Sequence, residues 1–154
     1  IEQRKKNWEY LRRGLSVSEE FLEFALPTHS LSWDKDKGFT WDNSGCRTEC
    51  SWFGFKISIK ENANFSRTDL AKLLDENKIG NRMLFGGNLI RQPAFIELKK
   101  QNSKAYRIAS NTSGSDKIMN QTLFLGTYPG LTKEMLDFGI TTINKFVEKM
   151  KGNL

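Results

Sequence analysis

The side chains best suited to ligand chemistry follow two adjacent glycines near the middle of the chain. Asn88, Arg91 and Gln92 come shortly after Gly86-Gly87 and offer amide and guanidinium groups that hydrogen-bond polar ligands. The glycines permit a sharp turn or a close approach of the backbone to a ligand, because they carry no Cβ. Polar connections of this kind are also common at surfaces that bind nothing. The pattern predicts one wall of a binding pocket, with an ordinary solvated connection as the alternative.

No complete catalytic pattern accompanies this loop. The single histidine, His29, has no obvious nucleophile partner, and neither a G-x-S-x-G, a P-loop nor a Rossmann glycine pattern is present. Cys46 and Cys50 cannot complete a tetrahedral zinc site by themselves, so we expect free thiols, with a disulfide or half of a metal site as alternatives. A chain without its own chemistry can still form part of a larger active site.

The elements before the loop are predicted from hydrophobic spacing. We expect a helix over residues 1–14 that ends at Gly14, and a short second helix over 18–25 that Pro27 stops. The stretch 28–50 has no clear periodicity, although a hairpin around Lys37-Gly38 is possible.

A strand over 52–60 is the clearest in the sequence, because apolar and polar residues alternate. Its predicted core face is Phe53, Phe55, Ile57 and Ile59, opposite Lys56, Ser58 and Lys60. Ser66 and Asp69 have capping-box spacing and should open a helix whose buried stripe is Leu70, Leu73, Leu74 and Ile79. The run 83–85 predicts a buried strand that leads into the glycines.

After the loop, the capping and helix-starting residues and the apolar runs predict four further elements. Pro93 suits the first turn of a helix, and Ser115 can cap a short helix through Met119. Residues 122–126 should form a strand, and Thr132 should cap a long final helix. About three main strands with helices on one face indicate a two-layer α+β sandwich.

Composition limits the class of protein. The 154 residues are 38% hydrophobic and 27% charged, which is typical of a globular chain of about one domain. No apolar run approaches the roughly 20 residues that span a bilayer, and no signal-peptide pattern is present, so we expect a cytoplasmic protein without membrane contact. The formal charge of +6 favours anionic partners, but it is dispersed along the chain as on a solvated surface.

Five motifs along the chain resemble those of a known family. They are SWFGF at 51–55, FSR at 65–67, KIGNR at 78–82, LFGGNLIRQPAF at 84–95 and DKIMNQTLFLGTYPGL at 116–131. Together they resemble the C-terminal part of the CDP-4-keto-6-deoxy-D-glucose 3-dehydrases. These are RfbH-type lipopolysaccharide biosynthesis proteins within the DegT/DnrJ sugar aminotransferase superfamily. The likeness covers nearly all of the chain. It implies that residues 1–25 are helices continuing from a missing large domain, and that 26–154 are the small C-terminal α+β domain of a fold-type I enzyme.

The resemblance also implies chemistry that lies mostly outside this chain. In that family pyridoxamine phosphate (PMP), a form of pyridoxal phosphate (PLP), is the electron sink for removal of the 3-hydroxyl of a CDP-4-keto-6-deoxy sugar. The histidine that replaces the aminotransferase lysine, and the iron–sulfur cysteines, lie upstream, so neither His29 nor the two cysteines take those roles. A homodimer and an NADH-dependent reductase partner are implied. We expect no cofactor on the isolated chain and no turnover by it.

The family likeness suggests which residues would face the sugar nucleotide: Asn88, Arg91 and Gln92, with Lys117 and Asn120 nearby. No catalytic or metal-binding residue is expected within the chain. Many aminotransferases of the superfamily carry a histidine where Ile90 stands, so this position favours a dehydrase.

Two alternatives remain open at this point. A sugar-nucleotide aminotransferase of the same superfamily would differ at the upstream cofactor residue. A basic nucleic-acid-binding module would need aromatic side chains exposed beside cations on one sheet face. The strand over 52–60 speaks against the second, because its spacing places the aromatics opposite the lysines, apart from Trp52.

Overall fold

The computed structural model describes residues 1–152. Five α-helices are described, namely α1 (Glu2–Gly14), α2 (Arg67–Glu76), α3 (Pro93–Gln101), α4 (Ser113–Gln121) and α5 (Lys133–Lys151). Six strands accompany them: β1 (Leu22–Phe24), β2 (Ser30–Asp34), β3 (Gly38–Trp41), β4 (Gly54–Ile59), β5 (Asn81–Met83) and β6 (Thr122–Gly126). Short 3-10 turns occupy Ser16–Ser18 and Leu89–Arg91.

The main sheet is antiparallel with the order β1-β4-β6-β5. Its inner face is buried and consists of Leu22, Phe24, Phe55, Ile57, Ile59, Leu123 and Leu125. Helices α1, α2 and α5 pack on that face and complete one hydrophobic core. The predicted two-layer α+β architecture is therefore confirmed.

Local capping signals fix two of the core helices as predicted. The Ser66 hydroxyl accepts from the Asp69 backbone amide and the Asp69 carboxylate accepts from the Ser66 amide, so the capping box of α2 is complete. The Thr132 side chain accepts from the Met135 amide at the start of α5. These bonds satisfy amides that a helix start otherwise leaves unpaired.

The hairpin around Lys37-Gly38 is also confirmed, as β2 and β3. Gly38 has φ +73°, which suits the turn at the start of β3. Trp33 and Phe39 of the hairpin contact Trp8 of α1 at ring-centroid distances of 6.0 and 5.6 Å. The hairpin thus closes one end of the core.

Four local predictions are wrong. Ser115 does not cap α4, because that helix begins at Ser113 with Thr112 at its N-cap. The expected second helix over 18–25 is instead a 3-10 turn followed by β1, which pairs with β4. An isolated helix of about two turns is marginal, whereas Leu22 and Phe24 of β1 join the core.

The expected buried strand at 83–85 does not form: the edge strand β5 ends at Met83, which is 41% exposed, and Phe85 beyond it is 80% exposed. Phe53 precedes β4, does not follow its alternation and contacts Phe124 rather than the core.

Helix α4 lies against the outer face of the sheet and makes a partial third layer. Lys117 of α4 pairs at 2.6 Å with Glu23, whose side chain projects opposite to the buried Leu22 and Phe24. Beneath the helix, the buried hydroxyls of Ser58 and Thr122 hydrogen-bond at 2.8 Å. Beyond α4, residues 1–152 leave the rest of that face uncovered, and Arg82 and Phe85 there are exposed.

Within residues 1–152, none of the helices combines the length and the hydrophobicity needed to cross a membrane.

Candidate functional site

The glycine loop has the tight geometry that its sequence suggests. Gly87 has φ +61°, and a Cβ there would lie 2.5 Å from the Met119 Cβ of α4. The loop backbone therefore approaches α4 as closely as only glycine permits. The next residue, Asn88, is 2% exposed and its side-chain oxygen accepts from the Ile90 amide.

Asp116 of α4 accepts hydrogen bonds from two of the predicted site residues. Its carboxylate accepts from Asn88 Nδ2 at 2.9 Å and from Arg91 Nη2 at 2.8 Å. Arg91 Nε donates to the same carboxylate, so the guanidinium pairs in the bidentate manner that Lys cannot reproduce. One carboxylate thus fixes the loop to α4 and orients Arg91 at the surface.

These contacts hold Asp116 in its charged form. Hydrogen bonds from Arg91 and then Asn88 lower the pKa of the Asp116 carboxyl from 3.8 to about 2. The same pairing raises the pKa of Arg91. Arg91 itself remains 58% exposed, so it is available to a ligand while its orientation is set.

The other predicted residues divide between the loop and a polar cleft. Gln92 donates to the Gly86 carbonyl at 2.8 Å and so closes the loop on itself. Lys117 and Asn120 line a cleft of about 420 Å³ on α4, together with Glu61, Ser113, Gly114, Asp116 and Gln121. Asp116 therefore joins the cleft to the loop, although Gln92 is engaged with backbone and Lys117 with Glu23.

Sequence reasoning missed Asp116 as a member of this cluster. It lies within the family motif at 116–131, but 25 positions separate it from Arg91. Residue spacing along the sequence cannot reveal a contact between residues so far apart. The one available signal was an acid in the first turn of a predicted helix, which is ordinary capping chemistry.

A second polar cluster, at the base of the hairpin, does not form a catalytic triad. His29 Nδ1 lies 3.0 Å from Asp42 Oδ2 and 3.3 Å from Ser44 Oγ. A nucleophilic triad needs the acid and the hydroxyl on different ring nitrogens, whereas both meet Nδ1 here. Hydrogen bonds from Ser44 and His29 lower the pKa of Asp42 to about 2, which fits a structural link between the hairpin ends.

The residues present do not by themselves form a pyridoxal phosphate site. Such a cofactor needs an acid for its ring nitrogen and donors for its phosphate. In the cleft the Asp116 carboxylate is occupied by Arg91 and Asn88, and the Lys117 ammonium by Glu23. Across residues 1–152, no group of three or more His, Cys, Asp or Glu side chains is arranged to hold a metal ion.

Sequence comparison assigns this fold to a class of protein. The model of the DegT/DnrJ/EryC1/StrS aminotransferase family matches residues 1–143. The chain belongs to this family.

Two relatives show which members of the family the chain resembles. The chain is 42% identical, over 95% of its length, to the lipopolysaccharide biosynthesis protein RfbH of Salmonella typhimurium. It is 36% identical, again over 95%, to the dTDP-4-dehydro-2,6-dideoxy-D-glucose 3-dehydratase of Saccharopolyspora spinosa. It spans 28% and 26% of those two proteins, so it corresponds to a part of each.

A solved structure with the same fold is the E. coli GDP-4-keto-6-deoxy-D-mannose-3-dehydratase with bound hydrated PLP. The TM-score is 0.67 at 21% identity, over 92% of this chain and 30% of that one. The predicted fold class, the small domain of a fold-type I PLP enzyme, is confirmed by this likeness. The boundary at residue 25 and the roles of the five site residues stay predictions.

Proposed function

We propose that this chain is the C-terminal part of a PLP- or PMP-dependent sugar-nucleotide 3-dehydratase in lipopolysaccharide deoxysugar biosynthesis. The observation that carries the proposal is the 42% identity to RfbH across nearly the whole chain. The second relative is a 3-dehydratase by name, which agrees with this assignment. The whole enzyme would take a CDP-4-keto-6-deoxy sugar and remove its 3-hydroxyl.

Within that enzyme, the Asp116 cluster would contact substrate and leave the bond-breaking chemistry to the upstream domain. Arg91 uses Nε and Nη2 on Asp116, and among the described hydrogen bonds its Nη1 has no protein partner. That group can donate to phosphate or sugar oxygens in a charge-assisted bond. Asn120 and Lys117 would line the neighbouring cleft and add polar contacts.

The remaining features of the proposal belong to the whole protein. It would act as a cytoplasmic homodimer, hold an iron–sulfur cluster through upstream cysteines and receive electrons from an NADH-dependent reductase. Cys46 and Cys50 are free thiols here, the first exposed and the second half-buried, and they take no part in that cluster.

A sugar-nucleotide aminotransferase is the second candidate. An aminotransferase from Psychrobacter cryohalolentis has the same fold, with a TM-score of 0.68 at 11% identity. Ile90 occupies the position where many aminotransferases carry histidine, which favours the dehydratase. The upstream residue at the cofactor, histidine or lysine, would separate the two.

The deciding experiment uses the enzyme in which this chain is joined to its large domain. It is incubated with PMP, a reducing system and CDP-4-keto-6-deoxy-D-glucose, and the product is analysed by mass spectrometry. Loss of the 3-hydroxyl supports the proposal, whereas a 4-amino product formed with PLP and glutamate supports the aminotransferase. The 154-residue chain alone should yield neither product, and turnover by it would contradict the assignment of the chemistry to the upstream domain.

A further inference from the structure

A row of three side chains crosses the uncovered part of the outer sheet face. Phe124 of β6 lies directly opposite Lys56 of β4 on one side and Arg82 of β5 on the other. Directly opposed residues of antiparallel strands project from the same face, so each side of the aromatic ring has a cation for a neighbour. The flanking Leu123 and Leu125 are buried on the inner face, which places Phe124 on the outer one.

Two further aromatic rings frame this row. Phe53 and Phe85 are 67% and 80% exposed, and their ring centroids lie 5.6 and 6.4 Å from that of Phe124. A shallow hollow of about 270 Å³ lies against the three rings and Lys56. We call Phe53, Lys56, Arg82, Phe85 and Phe124 the aromatic shelf.

The backbone is adapted to present these rings. A Cβ at Gly54 would overlap the Phe124 ring, so this glycine lets the ring lie against the strand. Phe85 has φ +50°, a left-handed conformation that bulky side chains rarely adopt. Neither the strained backbone nor the exposed ring of Phe85 favours folding, and such strain is typical of ligand-contacting segments.

The charge of the shelf limits what can cover it. The four strands of the main sheet place one acidic residue on the outer face among the described residues, namely Glu23. Lys117 pairs with this carboxylate at 2.6 Å. Within residues 1–152, Arg82 donates only to the backbone carbonyl of Asn81, at 3.2 Å. An apolar protein segment would therefore bury Lys56 and Arg82 with no ion-pair partner of their own, which costs free energy. An aromatic anion satisfies both the rings and the cations.

We infer that the aromatic shelf binds a nucleotide, with its base on the phenylalanine rings and its phosphates at Lys56 and Arg82. The inference rests on the proposed function, because it assigns the nucleotide half of the substrate to a surface adjoining the loop. Phe85 directly precedes Gly86, so a ligand on the shelf lies beside the segment that leads to Arg91. Stacking on phenylalanine is tolerant of base identity, so the shelf binds cytosine, guanine and uracil nucleotides alike.

The test uses the 154-residue chain, titrated separately with CDP, cytidine and inorganic diphosphate. Ring-current shifts of the base protons in NMR spectra report stacking, and isothermal titration gives the Kd. CDP should bind most tightly, with the base protons moved upfield. Added salt should weaken the binding of CDP and leave the binding of cytidine unchanged, because screening acts on the phosphate contacts.

Substitutions separate the two halves of the site. Phe124→Leu should weaken CDP by about five- to a hundredfold, as when a stacked aromatic is removed elsewhere. Lys56→Gln and Arg82→Gln should each raise the Kd for CDP by roughly three- to tenfold and leave the Kd for cytidine unchanged. If Phe124→Leu loses its fold, judged by circular dichroism, Phe85→Leu serves instead, because that side chain is almost wholly exposed.

Matched controls lie away from the outer face. Phe138 is exposed on α5 and Lys72 is exposed on α2, so Phe138→Leu and Lys72→Gln should not change CDP binding. Equal effects of control and shelf variants would overturn the inference.

Three other results would also overturn it. The first is that the folded chain does not bind CDP at all, and the second is that it dimerises with rising concentration in a way that Phe85→Leu abolishes. The third is that RNA oligonucleotides bind through the shelf while CDP does not. Failure of the dehydratase assay with intact CDP binding would refute the proposed function alone. Dehydration unaffected by shelf variants in the whole enzyme, with no CDP binding by the chain, would refute the shelf alone.

Discussion

At the scale of single residues, the bidentate pair of Arg91 with Asp116 sets what Arg91 can do. The carboxylate takes Nε and Nη2, so a ligand meets a guanidinium whose plane is already fixed. Fixing a side chain before the ligand arrives reduces the entropy lost on binding. We therefore propose that Arg91 contributes to ligand binding more than to folding.

Removal of Arg91 tests this role in the whole enzyme. Arg91→Ala should lower kcat/KM by on the order of ten- to a hundredfold, the effect of losing a charge-assisted bond to substrate. Arg91→Lys should recover little, because an ammonium cannot pair with Asp116 through two donors. The melting temperature should hardly change, since exposed ion pairs add little stability. Arg13→Ala, on the exposed side of α1, is the control, and normal kinetics for Arg91→Ala would remove Arg91 from the site.

The ionisation of Asp116 predicts how the loop responds to acid. A folded-state pKa of about 2, below the ordinary 3.8, means that the charged carboxylate stabilises the docked loop above about pH 4. That contribution is lost as the pH falls towards 2 and the carboxyl binds a proton. NMR signals of the Asn88 side-chain amide and the Ile90 backbone should shift across that window. In Asp116→Asn they should not follow this titration, and identical curves in both proteins would contradict the assignment.

At the scale of elements, α2 depends on a complete capping box at Ser66. Ser66→Ala removes the acceptor for the Asp69 amide and should cost about 1 kcal/mol of the free energy of unfolding. For a chain of this size that lowers the melting temperature by roughly 2–4 °C. Ser103→Ala, in an exposed loop, should leave it unchanged. Equal melting temperatures for Ser66→Ala and the parent would mean that the cap contributes nothing.

The docking of the glycine loop on α4 depends on Gly87. Gly87→Ala adds a methyl group 2.5 Å from Met119 Cβ at a residue with φ +61°, so the loop must move away from α4. We expect a loss of about 1–3 kcal/mol in urea unfolding, the cost of strain at a left-handed position. Gly80→Ala is the matched control, because nothing lies within 4 Å of its Cβ and its φ is ordinary. Similar stabilities for the two variants would show that the close approach is not needed.

At the scale of the whole molecule, the first 25 residues share one core with the remainder. Trp8 is 1% exposed and stacks on Trp52 at 4.6 Å, and Leu11 and Leu15 are equally buried. Strand β1 also completes one edge of the main sheet. We therefore expect residues 1–25 to be needed for folding of the remainder.

A chain beginning at residue 26 should therefore fail to fold. It would expose the inner face of β4 and leave that strand without its β1 partner. Its NMR spectrum should lack dispersion, whereas the 154-residue chain should show a cooperative transition. Trp8→Ala in the full chain should lose about 3–5 kcal/mol, as large core truncations do. A well-folded 26–154 chain would contradict this expectation and support the predicted domain boundary at residue 25.

The sequence by itself determined the features that neighbours along the chain decide. The caps at Ser66 and Thr132 and the hairpin turn at Gly38 each follow from contacts within a few residues. The strand over 122–126 was evident from its local apolar pattern, although its pairing partners are distant. The family motifs indicated the fold class, because together they resemble the C-terminal part of a family of fold-type I enzymes. For those features, no knowledge of the tertiary structure was required.

The tertiary structure alone decided the features that depend on distant partners. Residues 22–24 became a strand because β4 offers an open edge, which outweighs their local helical pattern. Asp116 joined the site because α4 lies across the sheet beside a loop 25 positions earlier in the chain. Phe124 came to stand between Lys56 and Arg82 through strand register, so one face carries both aromatics and cations, which the spacing within 52–60 had argued against. Register and helix placement arise from burial of the whole core, and no short stretch of sequence contains that information.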